Sequence, residues 1–356
     1  MQKIDRYAIW NNKGGVGKST ITFHAATRYA ELNPDKKVLV VDLCPQSNSS
    51  MMLLGGGTIG EHHVLSLCTL PTPQTVVGYL STVIANGAGA ALPDPLKFIS
   101  QISSVNPAIP ENLLLMCGDG NLEPMAPAVT GAANAPSLTP TMQPWKWVHQ
   151  IFREMIGSFA SQFPNNDITV FIDTNPSFSI YTELAISAGD KLIVPVNADD
   201  SSRVATNALF ILLHGQVPPH PIYGSWTYAA KAASYGMIIP QIHVIVGNRL
   251  TQYEGAAGAF SALSDATADT LFHAYCSTPS YFTNKGFHPT NINDFRQTYS
   301  VALRDFNTAG VVAAHLGRPL SQLNGGYHLV HGHSIQVNSE RVAECQRAVD
   351  SLMAMI

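Results

Sequence analysis

The chain has 356 residues, of which 46% are apolar and 12% charged, and its formal net charge is −4. That length can bury a large core, as one large domain or two small ones. A charged share about half the usual ~25% excludes a charged disordered chain, a coiled coil and a polybasic nucleic-acid tail. Five scattered cysteines (Cys44, Cys68, Cys117, Cys276, Cys345) form no Cys-x-x-Cys pair, which predicts reduced thiols in a cytoplasmic setting. The longest uncharged stretch, 64–93, is broken by Pro, Gly, Asn and Ser, so no membrane helix is expected. The opening MQKIDRYAIW has no apolar leader, so no secretory signal is expected either.

In chain order, RYAIW (6–10) reads as a buried strand running straight into a glycine-rich turn. From Gly17 to about Leu32 the pattern is helical, with Ile21, Ala25, Ala26 and Tyr29 on one face. Residues 37–42 (KVLVVD) form a short apolar strand ending in a carboxylate, and 113–119, 169–173, 191–196 and 242–248 are similar runs. Strands apolar at every position suit a parallel sheet buried on both faces. Helical patterns at 145–163 and 201–214, the latter capped by Ser201 or Ser202, complete β-α-β units. The Pro/Ala-rich stretch 118–144 reads as a long irregular loop, and 215–236, with Pro218, Pro219 and Pro221, as a second insertion. Residues 338–356 read as an amphipathic helix with Val342, Cys345, Val349, Leu352 and Ile356 in its stripe. The polar face of that helix is mixed in charge, which suits packing on the domain and not a membrane surface.

Residues 13–20, KGGVGKST, follow a strand and open a helix. Glycines let successive N–H groups turn toward phosphate oxygens, and the helix N-terminus adds positive potential. Gly14, Gly15, Val16, Gly17 and Thr20 would form the cradle; Lys18 would reach the β- and γ-phosphates, and Ser19 would hold Mg²⁺. The generic pattern needs a further glycine where Asn12 stands; what is present instead is a variant with an extra lysine, Lys13.

With that variant loop the chain resembles the deviant Walker A ATPases, specifically the ParA/Soj partition branch. VLVVDLCPQSN (38–48) is similar to that family's D-x-D-P-Q-x-N motif, TVFIDTNPS (169–177) to its Walker B strand, VIVGNR (244–249) to the strand whose Asn reads adenine, and HLGRPL (315–320) to its G-x-P-[IL] element. The resemblance implies an α/β fold of the P-loop NTPase kind: one domain over 1–356, with a mostly parallel, doubly wound sheet and insertions near 55–145 and 215–240. It implies that Lys13 reaches a partner's ATP across a homodimer. Asp173 would hold Mg²⁺ through water with Asp42 in support, and Asn248 would bond the adenine edge. Guanine-reading relatives use Asn-Lys-x-Asp; Asn248-Arg249-Leu250-Thr251 lacks the final carboxylate, which favours ATP.

The family's second Asp, needed for hydrolysis and thought to orient the attacking water, is Cys44 in this chain. A neutral thiol is a weak acceptor, and nearby phosphates disfavour its ionisation. Slow intrinsic hydrolysis is therefore one expectation, and water positioning through Asp42 or Asn48 the other. The resemblance further implies non-specific DNA binding, a ParB-like partner and nucleoid association. From residue 200 onward, nine bases are matched by nine acids and no basic run occurs. That balance keeps open an alternative, an ATP-sensing interaction module that does not bind DNA. The histidines of YHLVHGH (327–333) read as a solvent-facing turn and not a zinc site.

Overall fold

The computed structural model describes residues 2–137, 142–248, 257–303 and 306–356. Its strands are β1 (Ile4–Ile9), β2 (Lys37–Leu43), β3 (Ser100–Gln101), β4 (Leu113–Met116), β5 (Ile168–Thr174), β6 (Lys191–Asn197), β7 (Gln241–Asn248), β8 (Ser300–Ala302), β9 (Gly326–Val330) and β10 (His333–Val337). Among the described residues, the first eight form one sheet in the order β3-β4-β2-β5-β1-β6-β7-β8. Every pairing in it is parallel except β3 with β4 at the edge. The mostly parallel α/β fold expected from the sequence is thus the one observed.

Strand β5 (ITVFIDT) is buried at all seven positions, which explains its unbroken apolar and β-branched run. Alternate side chains feed two cores. Leu39, Val41 and Ile172 face the helices Val76–Asn86, Leu122–Ala133, Pro144–Ser161 and Ile180–Ala188. Val38, Val40 and Phe171 face the helices Lys18–Leu32, Asn307–Leu316 and Ser339–Met353. Phe171 lies between the rings of Tyr7 and Tyr29, each with its centroid 5.7 Å away. Burying such a ring contributes roughly 1.5–3 kcal/mol. This layering fixes the carboxyl ends of β1, β2, β5, β6 and β7 side by side, where the candidate site lies.

Several local expectations change. The stretch read as an irregular loop contains the helix Leu122–Ala133, with Pro127 inside it; 138–141 lie outside the described residues. Its buried positions Leu122, Val129 and Ala133 follow a helical period that Pro/Ala composition obscured. The helix after β6 starts at Asp200, and its cap is Asp199, whose carboxylate accepts from the Ser202 N–H; neither Ser201 nor Ser202 is the cap. The second insertion holds the helix Tyr228–Ser234. The C-terminal helix, Ser339–Met353, buries Val342, Cys345, Val349 and Leu352 as its stripe required, and Ile356 beyond it is half-buried. His328, His331 and His333 sit on the β9–β10 hairpin, where His331 occupies a left-handed turn position with φ 47°. No described helix is long and apolar enough to cross a membrane.

Candidate nucleotide-binding site

Strand β1 hands the chain at Trp10 to a loop that ends at Gly17, the N-cap of the helix Lys18–Leu32. Gly15 and Gly17 have φ of 72° and 84°, which a side chain would strain. A Cβ at Gly14 or Gly15 would meet nothing within 4 Å, so that side of the loop is open. It opens into a cavity of about 500 Å³, bordered by Gly15, Gly17, Lys18, Ser19, Thr20, Cys44, Gln46, Asn48 and Thr174.

The two lysines of the loop point to different partners. Lys18 is buried, and its Nζ donates to the carbonyls of Lys13 (2.8 Å) and Asn11 (3.2 Å). Burial pushes its pKa down to about 8, against the pull of Asp173 and Cys44. Lys13 turns outward and pairs with Asp199, with the Ser202 hydroxyl 3.3 Å away. Partial burial would raise the Asp199 carboxyl, but hydrogen bonds from Lys13, Ser201 and Ser202 outweigh it and hold it at about 2.

Opposite the lysines, the β2–β5 register sets Asp42 beside Asp173, both fully buried. Both oxygens of Asp42 are hydrogen-bonded: Oδ1 accepts from the Cys44 N–H (3.1 Å), and Oδ2 from the Ser50 N–H (3.0 Å) and hydroxyl (2.7 Å). The Ser50 hydroxyl in turn accepts from the Gly118 N–H at 2.9 Å. Asp173 accepts from the Thr174 N–H through Oδ1 (3.0 Å), while its Oδ2 is buried with no hydrogen-bond partner. Burial raises both carboxyls, and Asp42 raises Asp173 further. A buried carboxylate oxygen left unpaired beside the Ser19 side chain suits a hydrated divalent cation. The residues therefore fit Mg²⁺, with Ser19 and Asp173 to hold it and Asp42 to support them.

Cys44 lies at the cavity wall and is nearly buried. Burial, then Asp42 and Asp173, push its thiol up to about 12. It is a neutral thiol at physiological pH, unable to take a proton from water. Gln46 and Asn48, which also border the cavity, bond each other through Asn48 Nδ2 and Gln46 Oε1 at 3.2 Å.

Asn248 ends β7 and donates from Nδ2 to the Val16 carbonyl at 2.8 Å; Arg249, Leu250 and Thr251 lie outside the described residues. Asn11 does a similar service at the loop's entrance: its Oδ1 accepts from the Lys13 N–H (3.1 Å) and its Nδ2 donates to Pro195 on β6 (2.7 Å). The HLGRPL segment also reaches the site. Ala314, just before it, borders the cavity, and Gly317 sits so tightly on Gly55 that an added Cβ would lie 2.4 Å from that residue's carbonyl carbon.

Comparison with known proteins agrees with this geometry. Residues 4–86 match the family model described as an AAA domain. The chromosome-partitioning ATPase Soj of Thermus thermophilus is 35% identical over 108 residues, 27% of this chain and 42% of that protein. An ATP complex of a Cyanothece McdA variant superposes with TM-score 0.58 over 99% of this chain and 98% of that one, at 15% identity. A plasmid partition protein of Borrelia burgdorferi B31 bound to AMPPNP gives 0.52 over the whole of both chains at 14% identity. The ParA of pNOB8 gives 0.51 over 99% of each at 14% identity. Part of the chain is thus similar in sequence to a Soj ATPase. The matched segment spans less than half the length of Soj, and the wider likeness is one of fold.

The structure brings Gly15, Gly17, Lys18, Ser19, Thr20 and Cys44 to the border of one cavity, buries Asp42 and Asp173 beside its Cys44 and Lys18 wall, and sets Lys13 and Asn248 on the loop's other flank. Sequence reasoning missed Asn11, Ser50, Gly118, Asp199 and Ser202. Asp199 carried a legible signal: an acid followed by Asp-Ser-Ser just before a helical pattern. The others act through contacts that form only in the folded chain, which no spacing rule encodes.

Proposed function

We propose that this chain is an ATP-dependent dimer switch of the ParA kind, acting in DNA partition or the positioning of another cargo. The observation that carries the reading is the division of labour between two lysines of one glycine loop. Lys18 points inward over the phosphate cradle, and Lys13 points outward to a half-exposed Asp199. A cation on that rim is placed to leave its carboxylate and neutralise the triphosphate held by a second copy. Mg²⁺, held by Ser19 and through water by Asp173, would neutralise β- and γ-phosphate oxygens.

In this reading hydrolysis is intrinsically slow, because the neutral Cys44 thiol replaces a carboxylate that would orient water. Non-specific DNA, a ParB-like partner and a nucleoid-associated place in the cytoplasm belong to the same proposal, on the likeness to Soj and ParA. The test is light scattering of the purified chain with ADP or a slowly hydrolysed ATP analogue and Mg²⁺. Dimer formation that requires the γ-phosphate and disappears in Lys13→Ala supports the switch; an unchanged monomer at saturating nucleotide overturns it.

A second reading, an ATP-sensing interaction module without DNA binding, draws on one surface. The insertion after the helix Asp200–His214 exposes Val217 (88%), Ile222 (72%), Trp226 (68%) and Ile238 (61%). Such apolar side chains suit a protein partner better than a phosphate backbone. Gel shifts at low salt separate the readings: ATP-dependent, salt-sensitive DNA binding selects partition, and its absence selects the module.

A further inference from the structure

We infer that Asn248 is a positioning residue for the phosphate loop, so that it contributes to affinity even for a ligand that carries no base. The inference rests on the nucleotide reading above and gives this asparagine a task beside recognition of adenine.

Three observations converge. The Nδ2–H of Asn248 donates to the Val16 carbonyl at 2.8 Å, and Asn248 and Val16 are both buried. Gly17 has φ 84°, and a Cβ built on it would lie 2.3 Å from that same Nδ2. The amide therefore fills the space a side chain at position 17 would need. Gly17 is also the N-cap of the helix Lys18–Leu32 and brings no side chain of its own to fix the helix entrance.

The consequence follows from peptide geometry. Across a trans peptide the C=O of one residue and the N–H of the next point in opposite directions. Tethering the Val16 oxygen to the end of β7 therefore turns the Gly17 N–H away from β7. Gly17 borders the phosphate cavity, where an inward N–H is what an anion needs. Asn11 ties the other end of the loop to β6 through the Pro195 carbonyl. The cradle is thus restrained from two neighbouring strands before any ligand arrives, and part of the ordering cost of binding is already met.

The experiment is calorimetric titration of ATP and of inorganic tripolyphosphate, with Mg²⁺, into wild type, Asn248→Ala and Asn248→Asp. Asp keeps the shape, removes the donor and adds a charge, so Ala, which adds none, must show the same loss for the strut to stand. Both variants are expected to bind tripolyphosphate as well as ATP about 10-fold more weakly. The ¹⁵N resonance of the Gly17 amide should move in the nucleotide-free Asp variant, a change that general loss of stability would not produce. A loss confined to ATP, or no loss for either ligand, overturns the inference. If the variants do not fold, the nucleotide-free wild type decides. A side-chain amide of Asn248 protected from solvent exchange supports the strut; rapid exchange overturns it. Failure of wild type to bind either polyphosphate would sink the nucleotide reading, and the exchange measurement would still judge the strut.

Discussion

The phosphate loop has two unlike flanks. Toward β5 and β2 stand charged and reactive groups: Asp42, Asp173 and the Cys44 thiol, all with their pKa values raised by burial. Toward β6 and β7 stand restraints: Asn11 and Asn248 on the loop backbone, and Asp199 on Lys13. In the proposed reading the first flank meets a metal and a triphosphate. The second sets the loop's shape and decides where its outer lysine rests. Two parallel strands on each side of β1 provide the separation, so one turn of chain is addressed by chemistry from one direction and by geometry from the other.

The largest expected effect sharpens the chemical flank. Cys44→Asp should raise single-turnover hydrolysis of ATP by about 10²-fold or more, the usual scale of a lost water-positioning base. A rate no faster than wild type would mean that the Gln46–Asn48 amides or Asp42 already orient the water. Next comes Lys18→Ala. It removes the buried cation at the cradle, and ATP affinity by calorimetry should fall about 100-fold, since hydrogen bonds to charged groups contribute roughly 1.5–3 kcal/mol each. Affinity within a factor of three of wild type would show that the glycine cradle binds without it.

A smaller change breaks the restraining flank. Asp199→Ala frees Lys13, and the protein concentration needed for half-maximal dimer with an ATP analogue should drop up to about 5-fold. The ion pair is partly exposed, with the Asp199 side chain 41% accessible, so solvent screening keeps the gain small. An increase in that concentration would mean that Asp199 helps to hold the dimer instead of holding Lys13 back.

The two flanks also differed in how readily the sequence disclosed them. Lys13, Lys18, Asp42 and Asp173 were legible because each stands at the end of an apolar strand or inside a glycine string. Such positions lie at the carboxyl edge of a parallel sheet, where ligands bind. The restraints were not. Asn11 works through a carbonyl 184 residues away and Asn248 through one 232 residues away. Those pairings exist only once β6 and β7 have taken their places beside β1. Asn248 was named only through the family resemblance, as a reader of adenine, and its contact with Val16 could not be read from that. The helix Leu122–Ala133 was hidden for another reason: its proline and small residues mimic a loop, and only burial of Leu122, Val129 and Ala133 reveals the face.

A control that touches neither flank lies under the helix that begins at Lys18. His24 is buried between Phe23 and Phe306, its Nε2 has no hydrogen-bond partner, and burial lowers its pKa to about 3. The folded protein therefore keeps this ring neutral, while the unfolded chain takes up a proton below its ordinary pKa near 6.5. The group's folded pKa is depressed, so its share of stability is intact above about pH 6.5 and is lost as pH falls toward 3. Between pH 7 and 6 the loss is about 0.7 kcal/mol. Asp173 acts in the opposite sense over the same range, because its raised carboxyl binds a proton in the folded state first. The wild-type curve alone would therefore mix the two. The difference between wild type and His24→Leu in urea unfolding at pH 7 and pH 6 isolates the ring. The variant's stability should fall less over that interval by about this amount. Equal falls would mean that the helix interior admits water to His24, and the same opening would then reach the base of the phosphate loop.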